Sequence, residues 1–146
     1  MNVFESVLFV CVGNICRSPS AEVMLRSALG SRRLRIASAG LGAIVGHRID
    51  ASAQELLLRA GLDGAGHRAR QVDAAMLTET DLVLVMERSH LHRVAAIAPQ
   101  ASGKTFLLGK WQADRSIPDP YKQSRQMFEY VHQMMAEGVE AWSRHL

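Results

Sequence analysis

Residues 7–19 read Val-Leu-Phe-Val-Cys-Val-Gly-Asn-Ile-Cys-Arg-Ser-Pro. The apolar run Val7 to Val10 delivers a cysteine, five loop residues and an arginine onto the start of a helix. Such a strand–loop–helix junction makes a cradle for an oxyanion. The backbone N–H groups of Val12 to Arg17 can point inward, and a helix N-terminus favours negative charge. Gly13 permits a tight bend. Arg17 adds a planar fork that fits two phosphoryl oxygens at once. The same positive field favours Cys11 as thiolate. Two inert cysteines in an ordinary β-α turn would leave Arg17 beside an apolar core with no anion to answer it. The stretch therefore points to nucleophilic attack on a phosphate ester.

At 146 residues, the chain is expected to form a single domain spanning 1–146. Hydrophobic residues make up 48% and charged ones 21%, the balance of a globular protein with a full core. The net charge of +3 comes from scattered residues (Arg32, Arg33, Arg35, Arg48, Arg59, Arg68 and Arg70 among them), without a dense stripe or aromatic interleaving. That pattern argues against nucleic acid and suits an anionic substrate. The segment MNVFESVLFV lacks the positive region and cleavage site of a signal peptide, and no apolar stretch reaches ~18 residues. The expectation is a cytoplasmic protein without membrane insertion. Two cysteines in one loop are no structural staple, which fits a reducing compartment.

Strand-like and helix-like runs alternate along the chain: 7–11 then 19–29, 35–38 then 51–60, 82–86 then 89–97, and 105–108 then 124–144. The first, third and fourth strand runs are short and continuously apolar, as when both sheet faces are covered. The expectation is an α/β fold with a parallel sheet, helices on both faces and ligands beyond the carboxyl ends of the strands. Ser18 reads as an N-cap, followed by Pro19 in the first turn. Ala21, Met24, Leu25, Ala28 and Leu29 then share one face, with Glu22 and Arg26 paired on another. Met127, Val131, Met134, Met135 and Val139 form a core stripe on the last helix. Residues 61–66 and 103–120 are the longest irregular stretches, the second a candidate mobile loop carrying function.

A thiolate phosphatase also needs an acid for the leaving oxygen. Asp119, in Ile-Pro-Asp-Pro-Tyr over 117–121, lies between prolines that stiffen its backbone. Pro-Asp-Pro is equally a turn string. Its position after the fourth strand run, on the rim that carries Cys11, favours the acid. Other signals fail. Gly103-Lys104-Thr105 lacks the first glycine of a nucleotide loop and stands in the wrong structural order. His90 and His92 point apart on a helix, with no carboxylate or cysteine at ligand spacing, so no metal and no cofactor are expected. Glu87-Arg88 reads as an exposed helix start, and no nucleophile elbow occurs.

Cys11 to Pro19, Asp119-Pro120-Tyr121 and Ser38-Ala39-Gly40, with the chain length, resemble the low-molecular-weight protein tyrosine phosphatases in their bacterial branch. The resemblance implies a four-stranded parallel sheet. It implies Cys11 as nucleophile, Arg17 as transition-state clamp, Asp119 as general acid then base, and Ser18 as donor to the thiolate. It further implies a loop-supporting network of Asn14, Ser18, Ser38 and His67, though His67 alone reads as a surface residue. Val12, Gly13, Asn14, Ile15, Cys16, Ser18, Leu41 and Tyr121 become the substrate-binding residues. Eukaryotic members carry an aromatic near Leu41 and a tyrosine where this chain has Lys122, so the expected wall is aliphatic on one side. Two related activities fit less well. An arsenate reductase would need further cysteines, and arginine phosphatases carry threonine where Ile15 stands. Gly40-Leu41-Gly42-Ala43 resembles the exopolysaccharide or capsule subgroup. That implies a tyrosine-phosphorylated partner protein, a bacterial tyrosine autokinase, and a monomeric or weakly dimeric enzyme.

Overall fold

The structure, a computed structural model, describes residues 4–146. Its elements run β1 (Ser6–Cys11), α1 (Arg17–Leu29), β2 (Arg35–Gly40), α2 (Ala51–Arg59), α3 (Ala74–Glu79), β3 (Leu82–Val85), α4 (Arg88–Ile97), a 3₁₀ turn (Pro99–Lys104), β4 (Thr105–Leu107) and α5 (Arg125–Ser143). All strands pair parallel in the order β2-β1-β3-β4. The order reverses between β1 and β3, so the crevice at their carboxyl ends is where such a sheet takes ligands. Cys11 ends β1, in register with Gly40 of β2.

Both faces of the sheet are covered, and β1 shows how. Val7, Phe9 and Cys11 join a core with α1, α2 and α5, whereas Leu8 and Val10 join a second core with Leu77 of α3 and Val94 of α4. Continuous hydrophobicity in β1 and β3 is thus the signature of a strand buried on both sides. Met24, Leu25 and Leu29 meet Val131, Met134, Met135 and Val139 in the first core. Each fully buried side chain of this size contributes roughly 1.5–3 kcal/mol. Packing of this kind, more than helix propensity, therefore holds α1 in place. Among the described residues, no helix is long and apolar enough to cross a membrane.

Four local expectations need correction. Ser18 is not the N-cap: the helix begins at Arg17, and Cys16 takes the cap position without a side-chain hydrogen bond. Ala28 is exposed, because the apolar stripe is narrower than its helical spacing suggests. Helix α3 is absent from the sequence reading, being too short to display a period. Asp73 caps it, accepting from the Met76 N–H at 2.8 Å. The 103–120 stretch is held down rather than loose. It contains β4, Trp111 packs edge-on against Trp142, Arg115 pairs with Glu137, and Ile117 is fully buried.

Candidate active site

The loop between β1 and α1 is turned inside out by its carbonyls. Cys11 O accepts from the Leu41 N–H at 2.8 Å, Val12 O from Gly42 at 3.0 Å, and Gly13 O from Ile44 at 3.1 Å. Asn14 O meets His67 Nε2 at 2.6 Å, Ile15 O accepts from Asp50 at 2.7 Å, and Cys16 O from Ser20 at 3.3 Å. A carbonyl only accepts, so His67 carries its proton on Nε2. With the carbonyls of Cys11 to Ile15 bonded to other segments and that of Cys16 opening α1, the N–H groups of Val12 to Arg17 belong to residues that line the cleft. Among the described residues they have no acceptor in the turn and loop hydrogen bonds. Asp50 serves twice, since its side chain also caps α2 through Ser52 and Ala53.

Asn14 holds the loop's shape from within. It is fully buried with φ 58°, a left-handed conformation that asparagine tolerates better than most residues. Its Nδ2 donates to Ser18 Oγ at 2.8 Å and to Ser38 Oγ at 3.0 Å, and its Oδ1 accepts from the Arg70 N–H at 2.9 Å. Ser18 Oγ in turn lies 2.8 Å from Cys11 Sγ. Since Oγ already accepts from Asn14, its own proton is free to point at the sulfur, which stabilises a thiolate. Cys16 is different: burial, then the nearby Asp50 carboxylate, pushes its thiol up, so it stays protonated.

Gly40 is required by the approach of β2 to this loop. A Cβ there would lie 2.3 Å from Val12 O and 3.0 Å from Asn14 Cβ. Gly40→Ala is therefore expected to lose about 1–3 kcal/mol of stability by overpacking and to lower turnover as the loop shifts. A denaturation midpoint and a turnover number equal to wild type would show that the loop yields freely.

Arg17 is only 2% exposed, and its charge is answered chiefly through one arm. Nη1 donates to Glu87 Oε2 at 2.8 Å and to Ile117 O at 2.9 Å, while Nη2 lies 3.8 Å from Asp119 Oδ2. One arm of the fork is thus anchored, and the other is turned toward the acid. Glu87, expected as an exposed helix start, does begin α4 but is also the anchor of Arg17. Nothing local in the sequence signals this. Asp119 is 49% exposed, and its Oδ1 accepts from the Tyr121 N–H at 3.0 Å. Pro-Asp-Pro is thus a turn whose carboxyl lies at the cavity that Cys11 also lines.

The resulting cavity, about 170 Å³, is lined by Cys11 to Arg17 with Gly42, Ile44, Asp119 and Tyr121. Leu41 does not line it. That side chain is 7% exposed and packs in the second core, and only its N–H serves the loop. Ile44, 43% exposed, forms the aliphatic wall in its place. Ser18, Ser38 and His67 sit behind the loop, where they hold it without lining the cavity.

The chain resembles known proteins along nearly its whole length. Residues 6–146 match the family model described as low molecular weight phosphotyrosine protein phosphatase. The chain is 42% identical over 144 residues to the low molecular weight protein-tyrosine-phosphatase Wzb of Salmonella typhimurium, covering 99% of this chain and 95% of that one. It is 41% identical to the phosphatase Etp of Escherichia coli, over 98% and 95% of the two chains. Among solved structures, it superimposes with TM-score 0.94 on Vibrio vulnificus Wzb in complex with benzylphosphonate, at 39% identity, over 98% of this chain and 99% of that one.

Proposed function

This chain belongs to the low molecular weight phosphotyrosine protein phosphatase family and is a protein-tyrosine-phosphatase, and from that premise we propose how its residues carry the reaction. The Cys11 thiolate attacks phosphorus in line, forming a sulfur–phosphorus bond as the bond to the phenolic oxygen breaks. The loop amides and Arg17 Nη2 stabilise charge on the equatorial oxygens. Protonated Asp119 delivers its proton to the leaving phenolate. Its carboxylate then takes a proton from water, which attacks phosphorus and releases phosphate, returning the electron pair to Cys11. Ser18 stabilises the thiolate as it leaves.

The set of bonded carbonyls around Cys11 supports this reading best, because it leaves the N–H groups of Val12 to Arg17 available to an anion in the cavity. Ile44 and Tyr121, both lining the cavity, suit a flat aromatic ring, in keeping with the benzylphosphonate held by the Vibrio relative. The substrate is then a tyrosine-phosphorylated protein. The resemblance to the exopolysaccharide subgroup favours a bacterial tyrosine autokinase as that protein, met in the cytoplasm. Turnover of phosphotyrosine, phosphoarginine and arsenate compared side by side tests the assignment. Phosphotyrosine is expected to be the preferred substrate, and faster turnover of phosphoarginine would overturn it.

The two cysteines carry a separate expectation. Peroxide oxidises the Cys11 thiolate to a sulfenic acid, peroxide itself being reduced, and the Cys16 thiol then displaces water to close a disulfide. Wild type treated with peroxide should recover in dithiothreitol, whereas Cys16→Ser should recover less because its sulfenic acid oxidises further. Equal recovery would leave Cys16 without a protective part.

A further inference from the structure

We propose that His90 is a positioning residue for the phosphate clamp, holding the Glu87 carboxylate in the one orientation that fixes Arg17. The proposal rests on the reading of Arg17 as that clamp and deepens it. His90 is the third residue of α4 and is 2% exposed. Its Nδ1 lies 3.2 Å from the backbone N of Glu87 and can only accept there. The ring proton therefore sits on Nε2, which points at Glu87 Oε2 at 3.2 Å. The backbone N–H of His90 donates to the Glu87 carbonyl at 3.0 Å. The same Oε2 takes Arg17 Nη1 at 2.8 Å.

A capping box usually places Ser or Thr at the N-cap and Glu or Gln three residues on. Here Glu stands at the cap and His at the third position, a poor choice for helix stability alone. Local rules tend to be broken where a site demands it. The demand here is a carboxylate that must not swing to water. Glu87 is one-third exposed, so its partner Arg17 alone would leave it several rotamers. His90 removes that freedom, because the ring that faces Oε2 through Nε2 is itself fixed to the Glu87 backbone through Nδ1.

The arrangement also requires a neutral imidazole. A charged ring would carry a proton on Nδ1, facing the Glu87 N–H that it now accepts. Burial first, then the positive charges of Arg17 and Arg93, lower its pKa to about 4, against the opposing carboxylates of Glu87 and Asp119. These groups come from α1, α4, the β3–α4 junction and the 117–121 segment. His90 thus remains neutral throughout the neutral range.

The test compares His90→Phe, His90→Gln and Arg17→Ala with wild type. Phe keeps the ring volume and removes both hydrogen bonds, whereas Gln restores an acceptor and a donor. Loss of such an outer partner is expected to lower kcat by roughly 10- to 100-fold. The inhibition constant for vanadate should rise in parallel, because both report binding of the oxyanion by Arg17. His90→Gln should recover most of the loss. If Arg17→Ala is inactive but His90→Phe keeps wild-type kcat and vanadate affinity, the role of His90 falls and the clamp stands. If Arg17→Ala is active, the clamp itself falls. Should His90→Phe fail to fold, nitrogen NMR of the wild-type ring decides. A neutral Nε2–H tautomer from pH 6 to 8 is required, and an Nδ1–H or charged ring overturns the proposal.

Discussion

Cys11→Ser is expected to lower turnover by roughly 10⁶-fold, the scale on which loss of an enzyme nucleophile registers, while phosphate binding persists. A serine hydroxyl keeps its proton far more tightly than a thiol, and an alkoxide is not accessible at neutral pH. The anion cradle does not depend on the sulfur. Its amides are aimed by carbonyl contacts to Leu41, Gly42, Ile44, Asp50, Ser20 and His67, and Arg17 is anchored on Glu87 and Ile117. Hydrolysis of p-nitrophenyl phosphate by the variant above contamination level would remove Cys11 as nucleophile. Loss of phosphate binding together with turnover would mean that the substitution disturbs the loop itself.

Asp119→Asn should lower kcat on phosphotyrosine by ~10²–10⁴, the usual contribution of a positioned acid. The change is close to isosteric, and the Asn carbonyl can still accept from the Tyr121 N–H, so the turn survives. The contact to Arg17 at 3.8 Å is long and half exposed, and its loss should hardly alter stability. The defect should therefore depend on the leaving group. Phosphotyrosine should suffer most, and esters of acidic phenols, which depart without a proton, should suffer least. An equal loss across the series would make Asp119 a structural residue and move the acid elsewhere.

The fold and the centre of the site were legible because their signals are local. Val7 to Val10 reads as a doubly buried strand, and Cys11, Arg17 and the helix that follows lie within one junction. What was not legible lies far away in sequence or lacks a period. Glu87 and Arg17 are 70 positions apart, and only the closeness of the β1 and β3 carboxyl ends joins them. His67 reaches Asn14 across 53 positions, and the family resemblance, not its surroundings in the chain, singled it out. Leu41 and Ile44 differ for another reason. An irregular loop has no repeat from which side-chain direction can be read, so an aliphatic wall could be anticipated but not its residue. Ser18 misled because serine before proline suits a cap, whereas here its hydroxyl lies against Cys11 Sγ and the helix has already begun at Arg17.

The covalent intermediate is the most direct test of the account. Asp119→Asn, mixed with p-nitrophenyl phosphate and quenched in acid within the first turnover, should carry one phosphoryl group. Its phenol leaves readily while the water step is slowed. Mass spectrometry of the peptide spanning Cys11 should place that group on the Cys11 sulfur, with nitrophenol released in a burst matching the enzyme concentration. Nitrophenol and phosphate appearing together from the first turnover, with an unmodified Cys11 peptide or the phosphoryl group on another residue, would contradict it.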